Sequence, residues 1–147
     1  MNSVEINRIL RTRCRGQFVG VFAIDRLPQT LPPRRPLLLV CNTDPHDKPG
    51  KHWIAIYVGS DSKGEYFDSF CQPPPARIKN YLNKFCTTFS TGIRQLQSAS
   101  SRFCRQWVIF YCLFRSLNYS MIDINSCFSN DTGMNDVFVY AIVCKLI

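Results

Sequence analysis

The stretch from Gly50 to Phe70, GKHWIAIYVGSDSKGEYFDSF, constrains the fold more than any other part of the chain. It sets His52, one of two histidines, at the head of six consecutive apolar residues, Trp53, Ile54, Ala55, Ile56, Tyr57 and Val58. A polar turn bracketed by Gly59 and Gly64 follows, then a short second strand carrying Asp68. Aromatic and β-branched flanks around such a turn predict a β-hairpin. The unbroken apolar run predicts a first strand that is central and covered on both faces. Side chains alternate along a strand, so His52 and Asp68 can meet only if facing residues have numbers with an even sum, such as Tyr57 opposite Glu65. A histidine opening a buried strand stands at the edge of the core, where a cleft can form.

With 147 residues, 46% of them hydrophobic and 19% charged, the chain is expected to form one globular domain. Ser3 is expected to cap a short helix whose Val4, Ile6, Ile9 and Leu10 share a face and which ends before Gly16. Phe18 to Ala23 reads as a strand, Pro28 to Pro36 as an extended proline-rich connection, and Leu37 to Cys41 as a buried strand. Pro75 is suited to start a helix over Ala76 to Phe85. A further strand is expected over Ile93 to Leu96. Trp107 to Phe114 is apolar without a break, which predicts a central buried helix capped by Ser100 or Ser101. A last helix from Met134 to Lys145 should turn Val137, Phe138, Ala141 and Ile142 to the core.

Lysine and arginine number 18 against 10 acidic residues, giving a net charge of +8 that favours anionic partners. Residues 1–36 hold seven arginines (Arg8, Arg11, Arg13, Arg15, Arg26, Arg34, Arg35) against Glu5 and Asp25, a local excess of +5. A solvated face is the simpler reading of this excess, since no nucleic-acid motif accompanies it. Met1 to Arg13 is polar and basic, so the eight cysteines are expected in an intracellular, reduced protein, mostly as core-fillers. No apolar run reaches the ~20 residues of a membrane span. No C-x-x-C pair suggests structural zinc. His46, in a turn-rich loop, lacks a spacing to His52 that would favour shared metal ligation.

The order His52, Asp68, Gln97, Cys104 supplies a candidate for each role in thiol-dependent acyl transfer. These are an imidazole base, a carboxylate to orient it, a side-chain amide for the oxyanion, and a nucleophile. Cys104 should lie in the first turn of the buried helix, where the helix dipole and unpaired N–H groups favour a thiolate. Taken singly, each residue has a plainer structural reading; the ordered set of four is what points to chemistry.

Several short segments resemble the adenovirus-type cysteine endopeptidases (adenain), especially those of Polinton/Maverick transposons. They are Gly20-Val21-Phe22-Ala23, Asp25-Arg26-Leu27-Pro28, Asn42-Thr43-Asp44, Pro49-Gly50-Lys51-His52-Trp53, Tyr66-Phe67-Asp68-Ser69-Phe70, Leu96-Gln97-Ser98, Tyr111-Cys112-Leu113-Phe114 and Asn135-Asp136. The resemblance implies His52 as base, Asp68 as its orienting acid, Gln97 in the oxyanion hole and Cys104 as nucleophile. It also implies an α+β fold like that of the SUMO and ubiquitin-like-protein proteases, with the nucleophile on a buried helix packed against a mixed or antiparallel sheet. By the same resemblance, the chain would cleave capsid or element-encoded precursors as a monomer in a nucleus or virus-like particle. No cofactor is implied beyond a DNA or peptide activator, and Arg8, Arg11, Arg13, Arg34 and Arg35 would contact DNA phosphates without reading sequence.

The chain departs from the family where Cys-Gly-x-Tyr-Cys becomes Cys104-Arg105 with Cys112 eight positions on. If Tyr111-Cys112 keeps the family register, the nucleophile position falls on Val108, and the chain is a binding or structural module. In addition, Cys71 replaces a glycine expected after Phe70. A SUMO or ubiquitin-like-protein protease is the alternative within the enzyme class.

Overall fold

The structure, a computed structural model, describes residues 1–147. Five strands form one mixed sheet in sequence order: β1 (Phe18–Ala23), β2 (Leu37–Asn42), β3 (Trp53–Val58), β4 (Lys63–Phe67) and β5 (Thr88–Thr91). The outer pairs β1·β2 and β4·β5 are parallel, and the inner pairs β2·β3 and β3·β4 are antiparallel. The hairpin has the even-sum register, with Tyr57 opposite Glu65 and Ala55 opposite Phe67. Asp68 lies one residue beyond β4 rather than within it.

Alternation along the strands divides the core in two. On one face Leu37, Leu39, Cys41, Ile54, Ile56, Val58 and Tyr66 pack against Ile78 and Leu82 of α2 (Ala76–Phe85). On the other, Leu38, Val40, Trp53, Ala55 and Phe67 pack against α1 (Ser3–Arg13), α3 (Cys104–Ser116), α4 (Met121–Ser126) and α5 (Thr132–Leu146). The apolar runs of β2 and β3 are therefore apolar because both sides of the sheet are covered.

Several expectations are corrected. Asn2, not Ser3, caps α1 in a reciprocal capping box with Glu5, which leaves Val4 73% exposed. Ile93 to Leu96 is not a strand, and Ile93 is 84% exposed; the fifth strand is the polar Thr88–Thr91. Phe103 occupies the N-cap of α3 with no side-chain cap, so neither Ser100 nor Ser101 serves there. Along α5 the core-facing residues are Asn135, Asp136, Val139 and Val143, whereas Val137, Phe138 and Ala141 are exposed and Ile142 is half-buried. Five cysteines are buried and no disulfide forms. No helix is long and apolar enough to cross a membrane.

The buried helix α3 runs alongside β3. At its C-terminal end the Arg115 guanidinium lies 3.9 Å from the Tyr57 ring centroid. It donates from Nε to Glu65 Oε1 at 2.8 Å and from Nη2 to Oε2 at 2.8 Å. The Tyr111 hydroxyl donates to the same Oε1 at 2.5 Å, and its ring stacks on Phe67 with centroids 4.4 Å apart. Eleven helical rises of ~1.5 Å and five strand rises of ~3.3 Å both span about 16–17 Å. With Arg115 fixed over Tyr57, the first residue of α3 therefore arrives beside His52.

Glu65→Ala should be costly, because it leaves a largely buried guanidinium and a buried hydroxyl without their acceptor. A loss of about 3 kcal/mol is expected, to be read from the urea-unfolding midpoint at unchanged m-value. A shift within experimental error would remove this cluster as the anchor of α3.

Candidate active site

Three sequence-nominated side chains gather where β3 begins, β4 ends and α3 starts. His52 directly precedes β3, and its carbonyl accepts from the Thr43 N–H at 3.0 Å. The approach to it depends on Gly50, which has φ +76°. A Cβ there would stand 2.0 Å from Asn42 Nδ2, so this turn has no room for a side chain.

His52 Nε2 bonds Asp68 Oδ1 at 2.7 Å. The buried Asp68 carboxylate is also held by the Phe70 N–H at 2.9 Å to Oδ1 and the Gln72 N–H at 3.3 Å to Oδ2. Its orientation therefore comes from the backbone that follows β4. That turn passes through Cys71 at φ +58°, a left-handed conformation in the place where the resemblance expects glycine. The Cys71 thiol donates to the Gly92 carbonyl at 3.1 Å. Phe70 covers the imidazole with ring centroids 5.0 Å apart.

The other imidazole nitrogen, Nδ1, is buried and has no partner within hydrogen-bond range. Cys104 is a neighbour of the ring. Burial depresses the imidazole pKa, but the hydrogen bond to Asp68 and the adjacent Cys104 sulfur outweigh burial and raise it to about 9. The two neighbours thus favour the protonated ring more than in a free histidine. Cys104 is the first residue of α3, and the N–H groups of Cys104, Arg105 and Gln106 have no acceptor in the chain. Unpaired donors at the positive end of a helix favour an anion at this position. Val108, one turn further on, is fully buried among core side chains.

Gln97 stands behind these three. It is completely buried; Oε1 accepts from Ser69 Oγ at 2.6 Å, and Nε2 donates to Ser101 Oγ at 2.8 Å and to the Ser101 carbonyl at 3.2 Å. Ser101, not Gln97, lines the cleft with Cys104. Ser69, the neighbour of Asp68, thus fixes the amide so that its NH2 group points towards the cleft wall.

Sequence reasoning missed Ser69 and the grip of α5 on this loop. Asp136 accepts from the Ser98 N–H at 3.1 Å and from Trp107 Nε1 at 2.8 Å, and Asn135 Nδ2 donates to the Leu96 carbonyl at 3.1 Å. The available signal was the pair Asn135-Asp136 at the head of an otherwise apolar helix.

In the basic front segment Arg8, Arg11, Arg13 and Arg34 are exposed and Arg35 is half-buried. Arg11 donates to the Val19 carbonyl, Arg13 to that of Leu146, Arg34 to that of Gly16, and Arg35 to those of Pro32 and Arg34. Arg8 alone of the five nominated arginines makes no side-chain hydrogen bond. His46 bonds Asp25 and Arg26 away from His52, and no group of three or more metal-ligating side chains is assembled.

Asp68→Asn removes the charge that supports the imidazolium and leaves burial to act. The His52 pKa should fall below about 9, as followed by NMR titration of the ring protons. An unchanged titration would separate Asp68 from the histidine's electrostatics.

No protein-family model matches the chain. By sequence it is 34% identical over 111 residues to a cysteine protease of African swine fever virus, covering 65% of this chain and 39% of that protein. The chain therefore spans well under half the length of this curated relative. A crystal structure of the African swine fever virus protease superposes with a TM-score of 0.66 at 22% identity, covering 94% of this chain and 65% of that one. ChlaDub1 of Chlamydia trachomatis superposes at 0.55 and 15% identity, over 76% of this chain and 58% of its own. The SUMO protease Ulp1 superposes at 0.52 and 12% identity, over 99% and 78%. Five strands in this order, with Cys104 opening the buried helix, give the chain the α+β fold of the SUMO protease-like cysteine proteases.

Proposed function

We propose that the chain is a thiol endopeptidase of the adenovirus-protease type, with Cys104 as nucleophile, His52 as acid and base, and Asp68 as the group that orients His52. The observation that carries this reading is the meeting of the cysteine at the start of α3 with a histidine already bonded to a buried carboxylate at 2.7 Å. The sequence similarity to the viral cysteine protease supports it.

In the proposed reaction the Cys104 thiolate attacks the scissile carbonyl carbon, and the developing oxyanion takes the N–H of Cys104 and an N–H of Gln97. An amide NH2 offers two protons; for Gln97 to contribute, one must turn from Ser101 to the substrate oxygen. The His52 imidazolium then protonates the leaving amine as the C–N bond breaks, leaving a thioester. Neutral His52 next takes a proton from a water that attacks this thioester, and as the C–S bond breaks the new acid departs and the Cys104 thiolate and His52 imidazolium are restored. Losing one such oxyanion donor costs on the order of 10²–10³ in kcat.

We take the substrates to be capsid or element-encoded precursor proteins, as the resemblance of Tyr66–Phe70 and Leu96–Ser98 to adenain implies. A ubiquitin-like protein is the second reading, favoured by the fold shared with ChlaDub1 and Ulp1.

Incubation with a randomised decapeptide library, and in parallel with ubiquitin and SUMO fused to a reporter, tests these readings by mass spectrometry. Cleavage of library peptides, abolished in Cys104→Ala with circular dichroism unchanged, is expected. Cleavage confined to one fusion would select the second reading, and activity persisting in Cys104→Ala would overturn both.

The pH profile follows from the sign of the His52 shift. Its pKa in the fold, about 9, lies above the ordinary 6.5. The charged form therefore adds stability fully below the ordinary value and loses it as pH rises through about 9. Cleavage should fall over that same alkaline step, and a rate still climbing beyond it would contradict the assigned role.

A further inference from the structure

The cleft beside the Cys104 thiol encloses about 360 Å³ and is lined by Gly50, Lys51, Phe70, Ser101, Arg102, Cys104 and Arg105. Three of these seven residues are cationic and none is acidic. None of the three takes part in an ion pair within the chain, and none of their side chains makes a hydrogen bond. Arg105 Nε is buried and without a partner. The adjoining cavity shares Gly50 and Arg105 and adds Lys48 and one carboxylate, Asp44, which accepts from the Lys51 N–H at 3.1 Å.

This arrangement opposes two ordinary preferences. A cation in the first turn of a helix faces the positive end of the dipole, and α3 carries no acidic residue there to offset Arg105. A guanidinium nitrogen shielded from water without an acceptor is also unfavourable. Asp68 already answers the His52 imidazolium, and a Cys104 thiolate, as the proposed reaction has it, would be one counter-charge against three cations. Such a local conflict is expected where the missing partner arrives from outside.

We propose that Lys51, Arg102 and Arg105 form a carboxylate-binding wall, and that the enzyme prefers peptides with an aspartate or glutamate side chain next to the scissile bond. This rests on the proteolytic reading above and adds the substrate class. Arg105 supplies a planar fork suited to a carboxylate, its Nε gaining the acceptor it lacks. Arg102 and Lys51 contribute at the more exposed rim, where their effect weakens with salt as the screening length drops from ~10 Å at 0.1 M to ~3 Å at 1 M.

Two measurements test the wall, one of them independent of proteolysis. Iodoacetate and iodoacetamide differ in that only the first carries a carboxylate, and peptide mapping reads their alkylation rates at each cysteine. The iodoacetate-to-iodoacetamide ratio at Cys104 should exceed that at the exposed Cys127 by about tenfold. It should fall towards the Cys127 value in Arg105→Gln, in the milder Arg102→Gln, and at high salt. Equal ratios at the two cysteines would overturn the proposal.

In the second measurement, the best-cleaved library peptides are resynthesised with Asp or Glu replaced by Asn or Gln. A kcat/KM preference for the acid of about tenfold, equivalent to ~1.4 kcal/mol, is expected, shrinking in Arg105→Gln and inverting towards Lys-bearing peptides in Arg105→Glu. Equal cleavage of acid and amide forms would also overturn the proposal. A library left wholly uncut while Cys104 still favours iodoacetate would count against proteolysis and leave the wall standing.

Discussion

The ion pair between Glu65 and Arg115 is the constraint on which the site depends. It sits at the far end of α3 from the cysteine, closed from water by Tyr57 on one side and bonded by Tyr111 on the other. A helix that is apolar all round has no periodic face of its own, so hydrophobic burial alone would allow α3 to slide or rotate against the sheet. A bidentate pair in a largely dry setting tolerates little displacement, and its length of helix delivers Cys104 to His52. The pair need not add net stability to do this, since desolvating two charges offsets much of their attraction. Its contribution is to register.

The same anchor bears on the choice between Cys104 and Val108 as the nucleophile position that the resemblance leaves open. Moving the nucleophile position to Val108 would carry it ~6 Å along the helix, away from the imidazole and into side chains of the core. The helix meets the histidine with its first residue, where the N–H groups are still free, and its later residues are buried against strands and helices on all sides. Val108 therefore stands within the buried body of α3, and Cys104 at its open end.

What could be read from the sequence divides along physical lines. β1, β3 and α2 were legible to the residue because apolar runs and a proline start marked their edges, whereas alternation gave only the condition that the hairpin register be even-sum for His52 and Asp68 to meet, which the structure meets. Thr88–Thr91 was not legible, since a short edge strand with only Phe89 partly covered has almost no hydrophobic pattern. The β-branched Ile93 drew the expectation instead, although its side chain faces water. In α5 the run from Val137 to Val143 is apolar on every side, so periodicity could not choose a face, and the two polar residues at its head chose it. The six-residue α4, begun by the Ser120 capping box, is too short for periodicity to register.

Those polar residues explain why the site is only half visible in the sequence. His52 and Asp68 are joined by a local hairpin, and alternation decides whether they share a face; Gln97 belongs to an irregular loop where its amide bonds Ser101, and no periodic pattern marks where it points. Besides Ser101, hydrogen bonds from outside the loop hold it: Ser69 at its oxygen, and Asp136 and Asn135 at the backbone on either side. Asp136 also bonds Trp107, on the next turn of α3 after Cys104, so one carboxylate ties the loop of Gln97 to the helix of Cys104. A buried carboxylate is retained only where such donors converge on it. The cost of leaving either Asp136 oxygen unpaired therefore acts against any relative movement of loop and helix. Residues far apart in the sequence thus hold the amide and the thiol in one frame.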